Sequence, residues 1–89
     1  MHAIVTVVGK DRVGIIAGVC VCLSGLNVNV LDISQTILDG MFTMMMLVDL
    51  SAANADFPTV SATLSEAGEK LGVNIRIQRE DVFDAMHRI

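Results

Sequence analysis

The clearest topological signal in the chain lies in Asn29–Leu50, which reads NVLDISQTILDGMFTMMMLVDL. Its first part, Asn29–Ile37, alternates two sets of side chains, which indicates a β-strand with one drier face. The residues assigned to that face are Asn29, Leu31, Ile33, Gln35 and Ile37. Asp39-Gly40 is typical of a tight β-hairpin turn. Met41–Leu50 is apolar on both sides, so we expect an interior strand whose two sheet faces are both covered.

Upstream of this hairpin, the pattern predicts a strand and then a helix. His2–Val8 is short and rich in β-branched residues, and it stops at Gly9, which favours a buried strand. Val13–Ser24 places apolar residues at helical spacing. Gly25 or Asn27 can end this helix because both tolerate the left-handed conformation. The apolar residues of the helical face are Ile16, Val19, Cys20 and Leu23.

Downstream of the hairpin, a second helix and a fourth strand follow. Asp56 is placed to cap the helix, with Pro58 in its first turn and Gly72 at its end. Val73–Gln78 alternates apolar and polar residues and predicts the last strand. Glu80–Arg88 has the charge pattern of a short amphipathic helix, acidic at its start and basic at its end. The buried face of the second helix is expected to consist of Val60, Leu64, Ala67 and Leu71.

The element order β-α-β-β-α-β indicates a ferredoxin-like α+β sandwich. We expect a four-stranded antiparallel sheet with two helices on one face, plus a short C-terminal helix. The chain has 89 residues and no linker-like stretch, which predicts a single domain with a core at residues 1–79 and the added helix at 80–89. That helix either covers its own sheet or reaches over a neighbouring subunit. Its apolar stripe consists of Val82, Phe83, Met86 and Ile89.

The composition shows a surplus of apolar side chains for a domain of this size. Hydrophobic residues make up 53% and charged residues 18% of the chain, and the charged share is below the usual value of about 25%. We therefore expect a second copy to cover part of the surface, in a homodimer or higher homo-oligomer. The net charge of −4 does not favour nucleic acid as a partner. Glycines and asparagines within Val13–Leu31 argue against a membrane-spanning helix, and cysteine usage favours the cytoplasm.

The turn between the first strand and the first helix, Gly9–Ile16, is the best candidate for a binding site. It places Lys10, Asp11 and Arg12 directly before a helix N-terminus, where free N–H groups and the helix dipole attract anions. Asp11 could receive an ammonium group and Arg12 could hold a carboxylate. Gly14 removes a side chain where a ligand would approach. The alternative is that Asp11 simply caps the helix while Lys10 and Arg12 are solvated.

This turn also carries a resemblance to a known family. The segments GKDRVGII at 9–16, NVNV at 27–30 and SQTILDG at 34–40 resemble the ACT domain. DISQTILDGMFTM and the tail REDVFDAMHRI are similar to the small stand-alone ACT proteins of prokaryotes, which are largely uncharacterised. The resemblance implies a regulatory module that binds an amino acid or similar metabolite across a dimer interface and signals to a protein partner. It implies ligand-binding positions at Asp11, Arg12, Val13, Gly14, Ile15 and Asn29.

The sequence departs from the amino-acid-binding members of that family at two positions. Val13 stands where many of them have proline, and Gly9 stands where some have histidine. The first difference returns a backbone N–H to the start of the helix, and the second removes a polar contact. The alternative function is therefore a module for oligomerisation or protein interaction that binds no ligand.

Other chemistry-bearing residues do not form a recognisable site. Cys20 and Cys22 are two positions apart, about 200° around a helix axis, so they are unsuited to sharing a metal and are expected to pack. The methionines at 44–46 are expected to pack in the core or at an interface. His2 and His87 accompany no nucleophile with a paired acid. The sequence thus predicts a protein that is not an enzyme and holds neither metal nor cofactor.

Overall fold

A computed structural model describes residues 1–81 of the chain. The elements are β1 (His2–Lys10), α1 (Ile15–Gly25), β2 (Asn29–Leu38), β3 (Met41–Asp49), α2 (Phe57–Leu71) and β4 (Val73–Arg79). The four strands form one antiparallel sheet in the order β2-β3-β1-β4. This is the ferredoxin-like arrangement, so the predicted fold class is confirmed.

The two faces of the sheet differ in how they are covered. On the face toward the helices, alternate residues of β1, β3 and β4 are buried in the core. On the opposite face, more than a third of the surface of Val8, Met41 and Met45 is exposed. β3 is interior, as predicted, and the described residues of a single chain leave its second face open. The core residues from the strands are Ala3, Val5, Val7, Phe42, Met44, Met46, Val48, Val73, Ile75 and Ile77.

Helix α1 begins two residues later than predicted and buries a different stripe. Its buried residues are Ile15, Val19 and Leu23, which are spaced four apart. Ile16 is 38% exposed, so its assignment to the buried face is wrong. Cys20 and Cys22 are half-buried and pack against the core, in agreement with the packing role expected for them.

Strand β1 continues through Gly9 rather than ending before it. Gly9 pairs with Phe42 of β3 and with Val73 of β4. A Cβ at Gly9 would lie 2.7 Å from Cγ1 of Val73. The missing side chain therefore lets β4 approach β1 closely, which explains a glycine inside a strand.

The alternation expected along β2 is interrupted by a bulge. The register with β3 shifts between Val30 and Asp32, which leaves Leu31 as an extra residue. Asn29 pairs with Asp49, whereas the residues after the bulge keep the predicted alternation. The assignment of one continuous face to β2 is therefore wrong at Asn29 and Leu31. The residues that share the helix-covered side, opposite buried residues of β3, are Val30, Ile33, Gln35 and Ile37.

Helix α2 has the boundaries that its capping residues predict. The N–H of Thr59 donates to Oδ1 of Asp56 at 3.0 Å, and Pro58 lies in the first turn. Gly72 ends the helix with a left-handed φ of 75°. Hydrogen bonds from Thr59 hold the pKa of Asp56 below its ordinary value. Of the predicted buried face, Val60 and Leu64 are fully buried, whereas Ala67 and Leu71 are half-buried.

We expect acid to destabilise the fold through Asp56. A carboxyl group with a lowered folded-state pKa stabilises the fold above its unfolded pKa of about 3.9, and this contribution is lost as pH falls through the folded pKa. Asp56→Asn keeps an oxygen that can accept from Thr59 but does not titrate. Its melting temperature should therefore fall less than that of the wild type between about pH 6 and about pH 3. Thermal melts measured by circular dichroism test this, and parallel pH curves would contradict it.

The predicted C-terminal helix is described only at its start. Glu80 and Asp81 are helical, and Arg79 donates to the Asp81 carboxylate at 2.8 Å. The apolar stripe predicted for this helix, formed by Val82, Phe83, Met86 and Ile89, lies outside the described residues.

Candidate functional site

The loop between β1 and α1 lies beside the β2–β3 turn. The N–H of Asp11 donates to the carbonyl oxygen of Gly40 at 2.9 Å, which ties the loop to that turn. At its other end, the carbonyl oxygen of Gly14 accepts from the N–H of Gly18 at 2.9 Å and begins α1. The loop is therefore held at both ends by backbone hydrogen bonds.

Gly14 is the N-cap of α1 and has a left-handed φ of 92°. A Cβ at this position would meet no atom within 4 Å, so the glycine is needed for its conformation rather than for space. In the described chain, no side chain caps α1 and its first turn contains no acidic residue. The alternative in which Asp11 caps the helix is therefore wrong. The first N–H groups of α1 lack a side-chain acceptor and suit an anion.

Gly14→Ala should lower the free energy of unfolding by about 1 kcal/mol, because a residue with a Cβ is strained at this φ. Gly14→Asn should lose less, since asparagine tolerates the left-handed region better. Gly25→Ala is the matched control, because a Cβ there also meets nothing within 4 Å and φ is not positive. Urea unfolding at one protein concentration measures all three, and equal stabilities of the two alanine variants would contradict the strain at Gly14.

The predicted ligand-binding positions in the loop differ in accessibility. Val13 is fully exposed, whereas the side chain of Ile15 is only 2% exposed and belongs to the core. Ile15 can therefore offer a ligand only its backbone. Nη1 of Arg12 donates to the carbonyl oxygen of Leu71 at 3.5 Å, and its guanidinium occupies the space that a Cβ of Gly72 would need. Arg12 is thus turned toward the C-terminal end of α2.

Asn29 lies at the other end of the sheet from this loop. It pairs with Asp49, which pairs with His2 at the start of β1, whereas the loop follows Lys10 at the end of β1. The rise along β1 separates the two by about 26 Å. A single chain therefore does not bring Asn29 and the loop into one site. Asn29 instead borders a groove of about 330 Å³ whose lining includes Cys20, Leu23, Asn27, Val30 and Ala52.

The free edge of β2 is a feature that the sequence reasoning missed. β2 is one of the two edge strands, with β4 at the other edge, and nine of its ten residues are exposed. Ile33 and Ile37, on its helix-covered side, are 44% and 53% exposed. The mixture of isoleucines with serine, threonine and glutamine was the available signal, since it is unusual for a strand buried between neighbours.

The hydrogen-bonding pattern shows which groups of β2 point away from the sheet. The N–H of Leu50 donates to the carbonyl oxygen of Met1 at 2.8 Å in line with the β1–β3 ladder. Because bonding direction alternates along an antiparallel strand, the even-numbered residues of β3 bond to β1 and the odd-numbered residues bond to β2. Ile33, Gln35 and Ile37 lie opposite even-numbered residues of β3, so their own backbone groups point outward. In agreement, the N–H of Ile33 donates to Oδ1 of its neighbour Asp32 at 2.9 Å. β2 therefore presents a row of backbone groups that a further strand could use.

Other chemical groups in the described chain give no sign of a reactive centre. Within residues 1–81, no group of three or more His, Cys, Asp or Glu side chains could hold a metal ion. Burial raises the pKa of the Cys22 thiol, which disfavours the reactive thiolate. No helix in this part of the chain is long and apolar enough to cross a membrane.

Comparison with known proteins shows the family. The ACT domain family profile matches residues 1–78. The chain is a member of the ACT-domain family. It is 60% identical over 87 residues to a UPF0237 protein of Bifidobacterium longum, covering 98% of this chain and 97% of that one. It is 54% identical over 89 residues to a UPF0237 protein of Listeria monocytogenes, covering all of both. An ACT domain protein from Streptococcus pneumoniae superposes with a TM-score of 0.83 at 46% identity, over 98% of each chain.

The family resemblance read from the sequence is thereby confirmed. ACT domains are regulatory modules that typically bind small-molecule ligands and dimerise. Since the match covers nearly the whole length of both chains, this ACT domain is similar to relatives that consist of little else. The names of the two UPF0237 relatives state no ligand.

Proposed function

We propose that this protein is a small-molecule-sensing regulatory module that binds an amino acid or similar metabolite at a homodimer interface and signals to a protein partner. The observation that carries the proposal is the separation of the candidate site into two halves. The loop lies at one end of the sheet and Asn29 at the other. A site that uses both halves therefore needs two copies of the chain.

The free edge of β2 supplies a geometry that unites these halves. Antiparallel pairing of β2 with β2 of a second copy, about a two-fold axis at Gln35, aligns the outward-pointing backbone groups of both strands. It also sets Ile33 of one copy opposite Ile37 of the other, which favours apolar contact. An axis at Ser34 would instead set Ile33 opposite Gln35. Because the paired strands run in opposite directions, Asn29 of the second copy comes to the end where the first copy has its loop.

The groups of this shared site suit a molecule with both an anionic and a cationic end. The first N–H groups of α1 and the helix dipole favour a carboxylate. The Asp11 carboxylate favours an ammonium group. The Asn29 amide of the second copy adds hydrogen bonds, and exposed Val13 adds an apolar contact. Arg12 would bind the carboxylate of the ligand only by breaking its hydrogen bond to the carbonyl oxygen of Leu71.

Sensing follows from where the ligand is held. A ligand that contacts both copies binds the paired form more tightly than the single chain, so it shifts the equilibrium toward the pair. The paired surface is then available to a protein partner. The proposal includes no catalytic step, no metal and no cofactor, and it places the protein in the cytoplasm.

A thermal-shift screen with each proteinogenic amino acid at millimolar concentration tests ligand binding. At least one amino acid should raise the melting temperature of the wild type. Asp11→Ala and Asn29→Ala should each abolish this shift, whereas Glu69→Ala, at an exposed acid on α2, should retain it. Light scattering should show that all three variants remain paired.

Mixing the two inactive variants tests whether the site is shared. In a mixed pair of Asp11→Ala and Asn29→Ala chains, one of the two sites has an intact loop and an intact Asn29. Calorimetry should therefore recover binding at up to half of the sites in mixed pairs. A site formed within one chain would stay broken in both variants after mixing. An absence of recovered binding would therefore contradict a site shared between two chains.

The exposed edge of β2 also favours the second candidate, a module for oligomerisation or protein interaction without a ligand. In that case no amino acid shifts the melting temperature, and Asp11→Ala with Asn29→Ala changes either association itself or nothing. A paired, folded protein with no response to any amino acid would support this second function and contradict the first.

A further inference from the structure

We propose that the sheet face opposite the helices, here called the open face, binds the open face of another copy. Two β2-paired dimers then stack into a closed tetramer. The inference rests on the β2 pairing of the proposed function and adds a second, independent contact. It concerns Val8, Met41, Met45 and the residues that alternate with them toward the same side of the four strands.

The open face combines apolar and hydroxyl side chains at its centre. Cross-strand pairing aligns Ser34, Met45, Thr6 and Arg76 in one row across the sheet. The adjacent row toward the loop end consists of Thr36, Thr43, Val8 and Asn74. The adjacent row toward the other end consists of Asp32, Leu47, Ile4 and Gln78. The middle three rows therefore have the uncharged character of an interface core, with the charged Asp32 and Arg76 on the outer strands and Lys10 at the loop end of β1.

The area of this face is sufficient for a stable contact. Four strands spaced about 4.8 Å apart and a nine-residue strand length give a face of roughly 500 Å² per chain. A β2-paired dimer has an open face of about 1,000 Å². Stacking two such dimers buries both faces and removes about 2,000 Å² in total from solvent. A stable interface typically buries about 1,600 Å² in total, so the stacked pair of dimers meets the requirement.

Residues 82–89 are too few to be the main cover for this face. A helix of eight residues is about 12 Å long and about 10 Å wide. A helix of that size covers only about a quarter of the face. A second copy of the sheet matches its full dimensions.

Symmetry then sets how the two faces meet. Two self-complementary contacts close into a finite assembly only if their two-fold axes intersect. The β2 axis is perpendicular to the sheet at Gln35, so the stacking two-fold lies parallel to the sheet and meets that axis. Aligned packing of the two sheets then places it across the strands at the level of Gln35. This sets Met45 opposite Thr43, and Thr6 opposite Val8, of the facing copy. It sets Arg76 opposite Asn74 and Asp32 opposite Leu38, so like charges do not oppose each other among the described residues.

Mass measurements on variants test the second contact. The full-length wild type should contain four chains by sedimentation or light scattering. Met45→Glu and Val8→Glu each place an acid in the centre of the stacked faces and should give two chains. Gln35→Pro removes an outward N–H of the edge strand and should also give two chains. Combining Met45→Glu with Gln35→Pro should give a single chain. Val21→Glu, at a 71% exposed position on α1, is the matched control and should keep four chains.

A mixing experiment tests the orientation. Met45→Glu and Thr43→Lys should each give two chains alone and return to four when mixed, because the introduced carboxylate of one variant would face the introduced ammonium group of the other. If mixing does not restore assemblies of four chains, the orientation is wrong.

A wild type of two chains whose mass Met45→Glu does not change would overturn the proposal. Single chains for Met45→Glu would instead show that β2 pairing fails and that the open face is the only contact. Retained amino-acid binding by two-chain Met45→Glu would show that the shared site stands without stacking.

Discussion

Gly68→Ala is expected to lower the free energy of unfolding by about 3 kcal/mol. Gly68 lies on the buried side of α2, where a Cβ would be 2.8 Å from the carbonyl oxygen of Val73 and 3.1 Å from Cγ1 of Ile75. The nearest of these atoms belongs to the backbone of β4, so α2 and β4 would have to separate. The gain of alanine in helix propensity, about 1 kcal/mol, offsets only part of this cost.

The melting temperature should fall by more than about 10 °C for this variant. Gly25→Ala is the control within a helix, because a Cβ at Gly25 meets nothing within 4 Å. Its stability should equal or slightly exceed that of the wild type. Urea unfolding of both variants at equal protein concentration measures the difference. A Gly68→Ala protein as stable as the wild type would show that α2 does not pack on β4 at this distance.

The second large effect is expected from Leu64→Ala, which should cost about 3 kcal/mol. Leu64 is 0% exposed and is among the largest fully buried side chains of the core. Its loss removes apolar contacts and leaves a cavity that close-packed neighbours fill only in part. For a domain of this size, such a loss is a large fraction of a total stability of about 5–15 kcal/mol.

Val21→Ala provides the control for Leu64→Ala. Val21 is 71% exposed on α1, and alanine has the higher helix propensity, so stability should be unchanged or slightly raised. Equilibrium unfolding at a fixed protein concentration again gives both values. If both variants lost equal stability, the assignment of Leu64 to the core would be refuted.

The features that sequence patterns predicted correctly are those that neighbouring residues determine. Asp39 and Gly40 have φ values of 54° and 77°, as a hairpin turn with two left-handed residues requires. Asp56 and Gly72 bound α2 because each satisfies backbone groups within one helical turn of itself. The element order and fold class follow from such local signals.

The errors arose where packing between distant residues decides the outcome. Ile15 and Ile16 are adjacent and equally apolar, but α1 packs on the core through Ile15, Val19 and Leu23 and leaves Ile16 exposed. The bulge at Leu31 reverses the sidedness of β2 without a local sequence signal. The close approach of β4 to Gly9 depends on Val73, a residue far along the chain.

The candidate site shows the same division. The loop at Asp11–Ile15 is a continuous stretch, so its place before a helix N-terminus followed from the order of elements. The separation of Asn29 from this loop already follows from the predicted fold, because the loop ends β1 whereas Asn29 begins β2, which runs in the same direction. The contact of Arg12 with Leu71, by contrast, joins residues far apart in the chain.

The position of β1 between β3 and β4 in the sheet has a consequence for biosynthesis. Both edges of β1 are paired by strands that are synthesised later, β3 and then β4, which ends at Arg79. Its ladder with β4 cannot form until β4 has been translated. Contacts of such sequence separation also slow folding. A nascent chain therefore carries an apolar β1 with at least one unpaired edge until β4 is released, and that edge is exposed to other chains until then.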